Sequence, residues 1–397
     1  MLSFDEALKI TLDAVPAPEK VRVRLSAALD RVLAETVTAR TSQPPFDASA
    51  MDGYAVKAAS ITSNASCEVA FQVAAGGDPG QTLPEGKVAR IFTGAPLPAG
   101  ADAVIIQENA ARDGDIVTFS QGALEGQNIR RMGRDFALGD VLAEAGTRLK
   151  PAHIGLIASG NNAEIDVFRK PMVALLSTGD ELAAIGSVLK PGQIVGSNAL
   201  LLEAMLARHA TAVSDLGHAP DSVDALAENI GGALGSDIDI LVTTGGASVG
   251  DHDLLAPALE QLGAERLFWK SAMRPGKPAM LSSLNGKLIF TLPGNPVSAF
   301  VTATLFVIPA IRKWSGEKVT GLDLIDARLS GSLEANGPRR HFRRANLSLE
   351  YGSVIVRPIN ETDSAHQSSL AAANALLVQP ENGPSLSDGA LVQVLPL

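Results

Sequence analysis

The chain has 397 residues, more than one hydrophobic core usually organises, so about two to four domains are expected. Apolar residues make up 46% and charged residues 19%, which excludes a globally disordered chain. The formal charge of −10 excludes a protein that coats nucleic acid, because no overall basic surface exists and any anion site has to be local.

Phe4, Ala7, Leu8, Ile10 and Leu12 fall near one helical stripe that Pro16 and Pro18 end, so residues 4–15 are predicted to be a helix. No basic region precedes an apolar block there, and no signal peptide is expected. A second short helix is expected over 26–33. Between 36 and 134 short apolar runs, at 69–73, 88–92, 104–107 and 116–119, alternate with Gly and Pro and predict a small β-rich module. Cys67 is the sole cysteine, which rules out an intrachain disulfide or a multi-cysteine metal site and favours a reducing cytoplasm. Residues 151–159 and 165–167 read as a helix and a strand in a linker.

From 171 to 314, apolar runs at 173–176, 212–216, 238–243, 267–269 and 287–292 alternate with helical segments at 199–209, 223–234, 254–262 and 297–313. Strands buried on both faces and joined by helices predict a three-layer α/β/α domain with a parallel-type sheet, whose ligands bind beyond the carboxyl ends of the strands. The apolar run 297–311 is short and interrupted by Ser298, Thr302, Thr304 and Pro309, so no membrane span is expected. Strands return at 327–333, 343–349, 354–358, 375–378 and 391–394 and predict a small C-terminal β domain. The fold class is therefore multidomain α/β plus β. Expected boundaries are a helical and linker domain at 1–40 plus 135–170, an inserted β-rich domain at 41–134, the α/β domain at 171–318 and the β domain at 319–397.

Chemistry concentrates in a few loops. After the 173–176 strand comes Ser177, Thr178, Gly179, Asp180, Glu181; after the 238–243 strand comes Thr244, Gly245, Gly246, Ala247, Ser248, Val249, Gly250, Asp251, His252, Asp253. Glycines let backbone N–H groups approach phosphate, and carboxylates suit a magnesium ion. Either loop alone is better explained by an ordinary capped turn; two at one sheet edge point to a site. A stiff basic loop, Trp269, Lys270, Ser271, Ala272, Met273, Arg274, Pro275, Gly276, Lys277, suits an oxyanion, and Leu292, Pro293, Gly294, Asn295, Pro296, Val297, Ser298 turns into a helix N-terminus of positive dipole. Three N-terminal patches are also dense: 49–56 with Asp52, Gly53 and Tyr54; 93–100 with Thr93; and 130–135 with Arg130, Arg134 and Asp135. Each is equally a turn when taken alone. The β tail adds Arg339, Arg340, Arg343 and Arg344 around His341 and Phe342, with Ser368 and Ser369 further on.

In order and spacing, the motifs at 49–56, 93–100, 130–135, 177–182, 244–250, 275–278 and 292–299 resemble those of molybdopterin molybdenumtransferases of the MoeA type, a family that includes the E domain of gephyrin. The resemblance implies a homodimer whose active sites lie between the α/β domain of one chain and the N-terminal region of the other. It implies a magnesium-dependent transferase in molybdenum cofactor biosynthesis that inserts molybdate into adenylylated molybdopterin and releases AMP. Carried over by position, Asp52, Thr93, Asp135, Glu181, Lys270, Arg274 and Lys277 are catalytic. Substrate falls to Arg130, Thr178, Gly179, Gly245, Gly246, Ser248, Pro293, Pro296, Ser298, Arg339, Arg344 and Ser369, and the metal to Glu181, Asp221 and Asp253. Partners by analogy are a molybdopterin adenylyltransferase and molybdoenzyme assembly proteins; neither nucleic acid nor membrane is expected. Arg274 stands where many members have lysine, Ala247 replaces a bulkier residue and Arg134 an acidic one, which leaves molybdate against tungstate open. The alternatives are molybdopterin adenylyltransferase, which shares the Thr-Gly-Gly loop but not the flanking domains, and a gephyrin-like scaffold.

Overall fold

The structure is a computed structural model that describes residues 1–78, 80–246 and 254–397. It comprises two compact units, residues 1–21 with 168–397, and residues 22–167.

The first unit is built on a six-stranded sheet in the order Ala212–Ala219, Met172–Thr178, Ile240–Thr244, Lys287–Leu292, Met280–Leu284, Glu265–Trp269. Alternation along the strands feeds two cores. Val173, Leu175, Ile240, Val242, Leu288 and Phe290 face a layer holding Leu202, Leu206, Phe306 and Ile311, with Phe4 of the helix Phe4–Asp13. Ala174, Leu176, Leu241 and Ile289 face Leu226, Ile230, Leu255 and Leu259 of the helices Val223–Leu234 and Leu255–Gln261. Helices thus cover both faces, as expected of three layers.

The sheet departs from a parallel one at a single strand. Met280–Leu284 runs antiparallel to both its neighbours. The cause is local: Asn285 and Gly286 both take positive φ, 52° and 79°, and close a two-residue hairpin into Lys287–Leu292. A stretch of 19 residues, Pro296–Trp314, has the length and composition of a membrane span, contrary to expectation, yet 72% of its most apolar window is buried inside the protein. It is a core helix, with a π-type turn at Ala303–Val307.

The C-terminal strands Arg340–Glu350, Ser353–Pro358, Ile325–Leu329, Leu391–Pro396 and Ala375–Gln379 pair in that order, and the last returns to the first, closing a barrel around Leu329, Val356, Leu377 and Val394. Met273–Arg274 adds in parallel to Arg340 and His341, so the basic loop of the α/β layer is stitched to the barrel.

The second unit holds a six-stranded sheet in the order Ala103–Ile106, Gly53–Val56, Lys87–Ile91, Ser66–Val73, Ile116–Phe119, Ala110–Asp113. Ile105, Val88 and Phe119 fill one face, and Val104, Ile91 and Val73 the other. The short helix expected over 26–33 is absent. Only one 3-10 turn forms, Leu25–Ala27, before Asp30 adopts positive φ and Val32 and Leu33 make bridges to Arg148 and Val167.

Candidate active site

In the first unit, parallel register delivers four loops to one sheet edge. Thr244 lies opposite both Ser177 and Leu292, and Thr178 opposite Ala219, so Gly179, Gly245, Pro293 and Asp221 all follow neighbouring strand ends. The approach is close. A Cβ on Gly245, whose φ is +90°, would stand 2.3 Å from the Thr178 carbonyl oxygen, and one on Gly246 would be 3.1 Å from Thr178 Oγ1. Thr178 Oγ1 is itself buried without a hydrogen-bond partner, a polar atom aimed among these loops. Gly179, at φ +130°, admits Glu181 over its backbone: a Cβ would be 2.7 Å from Glu181 Oε2.

Asp180 and Asp221 cap one another. The Asp180 N–H donates to Asp221 Oδ2 and the Asp221 N–H to Asp180 Oδ1, each at 3.3 Å. Asp180, Glu181 and Asp221 are exposed and offer only oxygen donors, the type that magnesium takes. Among the described residues no three such groups converge into a metal cluster. The third expected ligand, Asp253, and the expected substrate residue Ser248 lie outside the described residues.

Beside that edge is an open cleft of about 650 Å³. It gathers Arg274, Lys277, Pro293, Ser298 and Arg339 from the expected set, together with Asn295. Pro296 begins the helix that carries Ser298, so positive dipole is added to the three cations. None of Arg274, Lys277 and Arg339 has an ion pair among the described residues, whereas Arg340 is bound by Asp5 and Glu381 and Arg312 by Glu317 and Asp323.

Two groups of expected residues are placed differently. Lys270 does not line the cleft; its Nζ rests 3.6 Å from the centroid of its neighbour Trp269. Arg344, expected to bind substrate, is 4% exposed and its terminal nitrogens donate to His366 O (3.1 Å), Ser369 Oγ (2.6 Å), Glu361 O (2.6 Å) and Asp363 O (2.9 Å). With Ser369 occupied by this contact and by His366 O, the pair shapes the 361–369 segment instead of presenting donors to a ligand.

That segment is what sequence reasoning missed. Glu361, Thr362, Asp363 and Ser364 line the cleft, and Ser364 anchors it by accepting from Asn295 Nδ2 at 2.8 Å and from the Val297 N–H at 3.0 Å. Asn198, also missed, donates through Nδ2 to Gly294 O at 2.7 Å, while its Oδ1 is buried without a partner. His218 Nε2 sits 2.7 Å from the Gly179 carbonyl oxygen. Asn295 carries a readable signal as the residue ahead of a helix that starts with proline. The acidic 361–364 stretch has none.

In the second unit, Asp52 Oδ1 accepts from the Thr93 N–H at 2.7 Å and from Thr93 Oγ1 at 2.8 Å. Those donors, the backbone one foremost, hold its carboxyl below the ordinary aspartate range. Arg130, Arg134 and Asp135 line a cleft of about 520 Å³ with Gly94, the neighbour of Thr93. Pairing of Ile129–Arg130 with Ala48–Ser49 and of the Asp135 N–H with Gln43 O brings these separate patches to one place.

Three family profiles match the chain in succession: the MoeA N-terminal region (domains I and II) at 2–160, the probable molybdopterin binding domain at 174–313 and the MoeA C-terminal region (domain IV) at 326–397. A molybdopterin molybdenumtransferase of Haemophilus influenzae is 36% identical, with 100% of this chain and 98% of that protein covered. One of Bacillus subtilis is 34% identical, with 99% and 94% covered. A crystal structure of the molybdopterin biosynthesis MoeA protein from Pyrococcus horikosii superposes with a TM-score of 0.84 at 31% identity, covering 100% of this chain and 99% of that one. With its three profiles in order and relatives matched from end to end, this chain belongs to the MoeA family of molybdopterin molybdenumtransferases.

Proposed function

We propose that the chain is a transferase of molybdenum cofactor biosynthesis that inserts molybdenum from molybdate into adenylylated molybdopterin and releases AMP. The observation that carries this reading is the cleft in which Arg274, Lys277 and Arg339, all without ion pairs among the described residues, meet the N-terminus of a helix. Such a cleft binds a tetrahedral oxyanion through charge and N–H donors, and its cations offset the charge that phosphate and molybdate bring together. Gly179, Gly245 and Gly246 keep the neighbouring strand ends free of side chains, so a phosphate group can lie against backbone N–H groups.

Glu181 and Asp221 are the described residues that would hold magnesium, which would neutralise phosphate oxygens when bound. Carboxylates alone would repel both substrates. Asp52, with its charge fixed by Thr93, and Asp135 with Arg130 belong to the second set of site residues. The proposal includes a homodimer and a cytoplasmic setting, the latter supported by the single cysteine Cys67.

The test is AMP release from adenylylated molybdopterin with magnesium, with and without molybdate. Molybdate-stimulated release that Glu181→Gln abolishes is expected; no release by the folded wild type overturns the reading. Mixing Asp52→Asn with Glu181→Gln subunits tests the dimer, since partial recovery is expected only where one site draws on two copies.

A further inference from the structure

The arginines of the run 339–344 are put to unequal use. Arg340 is bound by Asp5 and Glu381, and Arg344 has its terminal nitrogens engaged by the 361–369 segment. Arg343 has neither kind of partner: its Nε is buried with no hydrogen bond, and no carboxylate pairs with it among the described residues. The exposed Glu334 acts on it without forming an ion pair.

Its surroundings connect it to the cleft. Arg343 lines a small, partly open chamber of about 10 Å³, the size of one water, whose walls include Pro275, Glu361 and Thr362, and the same three residues line the cleft. The pairing of Met273–Arg274 with Arg340 and His341 holds Arg274 to the same strand. The positive charges of Arg274 and Arg343 oppose each other, and burial already disfavours the latter. A half-buried guanidinium with no carboxylate in ion-pair contact is costly, so its retention calls for a ligand that supplies the charge.

We propose that Arg343 is a specificity-determining residue of the oxyanion subsite, a second guanidinium behind Arg274 that selects a doubly charged tetrahedral oxyanion over a singly charged one of the same size. This inference rests on the reading of the cleft as the oxyanion site. The Coulomb energy scales with ligand charge, so loss of one fixed cation weakens a dianion about as the square of the factor by which it weakens a monoanion.

The experiment is calorimetric titration of the full-length protein with molybdate and with perrhenate, a tetrahedral monoanion of similar size, at constant ionic strength. Arg343→Gln is expected to weaken molybdate about tenfold and perrhenate about threefold, so that the ratio of the two affinities falls about threefold, and Arg343→Lys to keep that ratio at the wild-type value. An unchanged ratio in Arg343→Gln, with both anions weakened alike or neither affected, overturns the proposal. If that variant does not melt cooperatively, Arg343→Lys decides: a retained ratio supports it and a lost ratio overturns it. The AMP assay separates the two readings. Selective dianion binding that depends on Arg343, without AMP release, leaves the subsite standing and the transferase reading fallen. AMP release with an unchanged ratio removes this inference alone.

Discussion

The carbonyl oxygen of Thr178 occupies the space where a side chain on Gly245 would begin, 2.3 Å from the position of its Cβ. Two neighbouring parallel strands therefore end in loops that touch backbone to backbone, and Gly294 joins them with its own missing side chain 3.5 Å from Gly245 Cα. This closeness is what makes a side-chain-free edge for phosphate.

Gly245→Ala is accordingly expected to destabilise the first unit by about 3 kcal/mol, since it combines a positive-φ strain with a backbone clash. Gly286→Ala is the control. Gly286 also has positive φ, +79°, but nothing lies within 4 Å of its missing Cβ, so only the backbone term of about 1 kcal/mol applies. Urea unfolding of both variants checks the difference; equal losses would show that the contact with Thr178 is immaterial.

Arg344 is expected to behave as a structural residue. Its replacement by Gln leaves the Glu361 and Asp363 carbonyls without a charged donor, at a cost of about 2–3 kcal/mol. Amide exchange in 361–369 should speed up in Arg344→Gln, with any loss of oxyanion affinity following from that loosening. A weakened affinity with unchanged exchange would mean that Arg344 contacts the ligand directly.

Much of the fold was legible because periodicity reports burial. The runs at 173–176, 238–243 and 287–292 are apolar on successive residues since both faces of those strands are covered, as Leu175 and Leu176 show by facing different cores. Met280–Leu284 escaped notice although Asn285 and Gly286 form a hairpin signal directly ahead of the Lys287–Leu292 strand. The helix expected over 26–33 failed because Asp30, at φ 60°, breaks the chain direction after one turn.

The site was legible where glycine, proline and charge cluster in sequence. Arg274, Lys277 and Ser298 were found that way and share one cleft with Arg339. What stayed hidden was pairing: sequence does not say that Arg344 spends its donors on main-chain oxygens and Ser369 while Arg343, the residue before it, keeps a buried Nε unmatched.

Asp239 couples the start of the sheet to the chain before it. Its carboxylate takes Arg169 through two nitrogens at 2.7 and 2.8 Å and the Met172 N–H at 2.7 Å. Arg169 is held protonated far above its ordinary range, chiefly by this hydrogen bonding. Asp239→Asn should cost about 2 kcal/mol, because a largely shielded guanidinium then loses its main counter-charge. A thermal melt within 1 °C or so of wild type would count against this role.

His341 makes stability depend on pH between about 5 and 7. It is 5% exposed, and burial first, then the charges of Arg343, Arg274, Arg339 and Arg344, push its pKa down to about 3 from 6.5. The folded imidazole is neutral while the unfolded one takes a proton below pH 6.5, so the unfolded state binds more protons and stability falls as pH falls. Between pH 7 and pH 5 the loss from this one group amounts to about 2 kcal/mol. In His341→Gln that component vanishes, so the difference in urea unfolding free energy between pH 7 and pH 5 should shrink by about the same amount. An equal pH dependence in both proteins would mean that the folded imidazole takes up its proton as readily as the unfolded one, its arginine neighbours being neutralised by a ligand or by solvent.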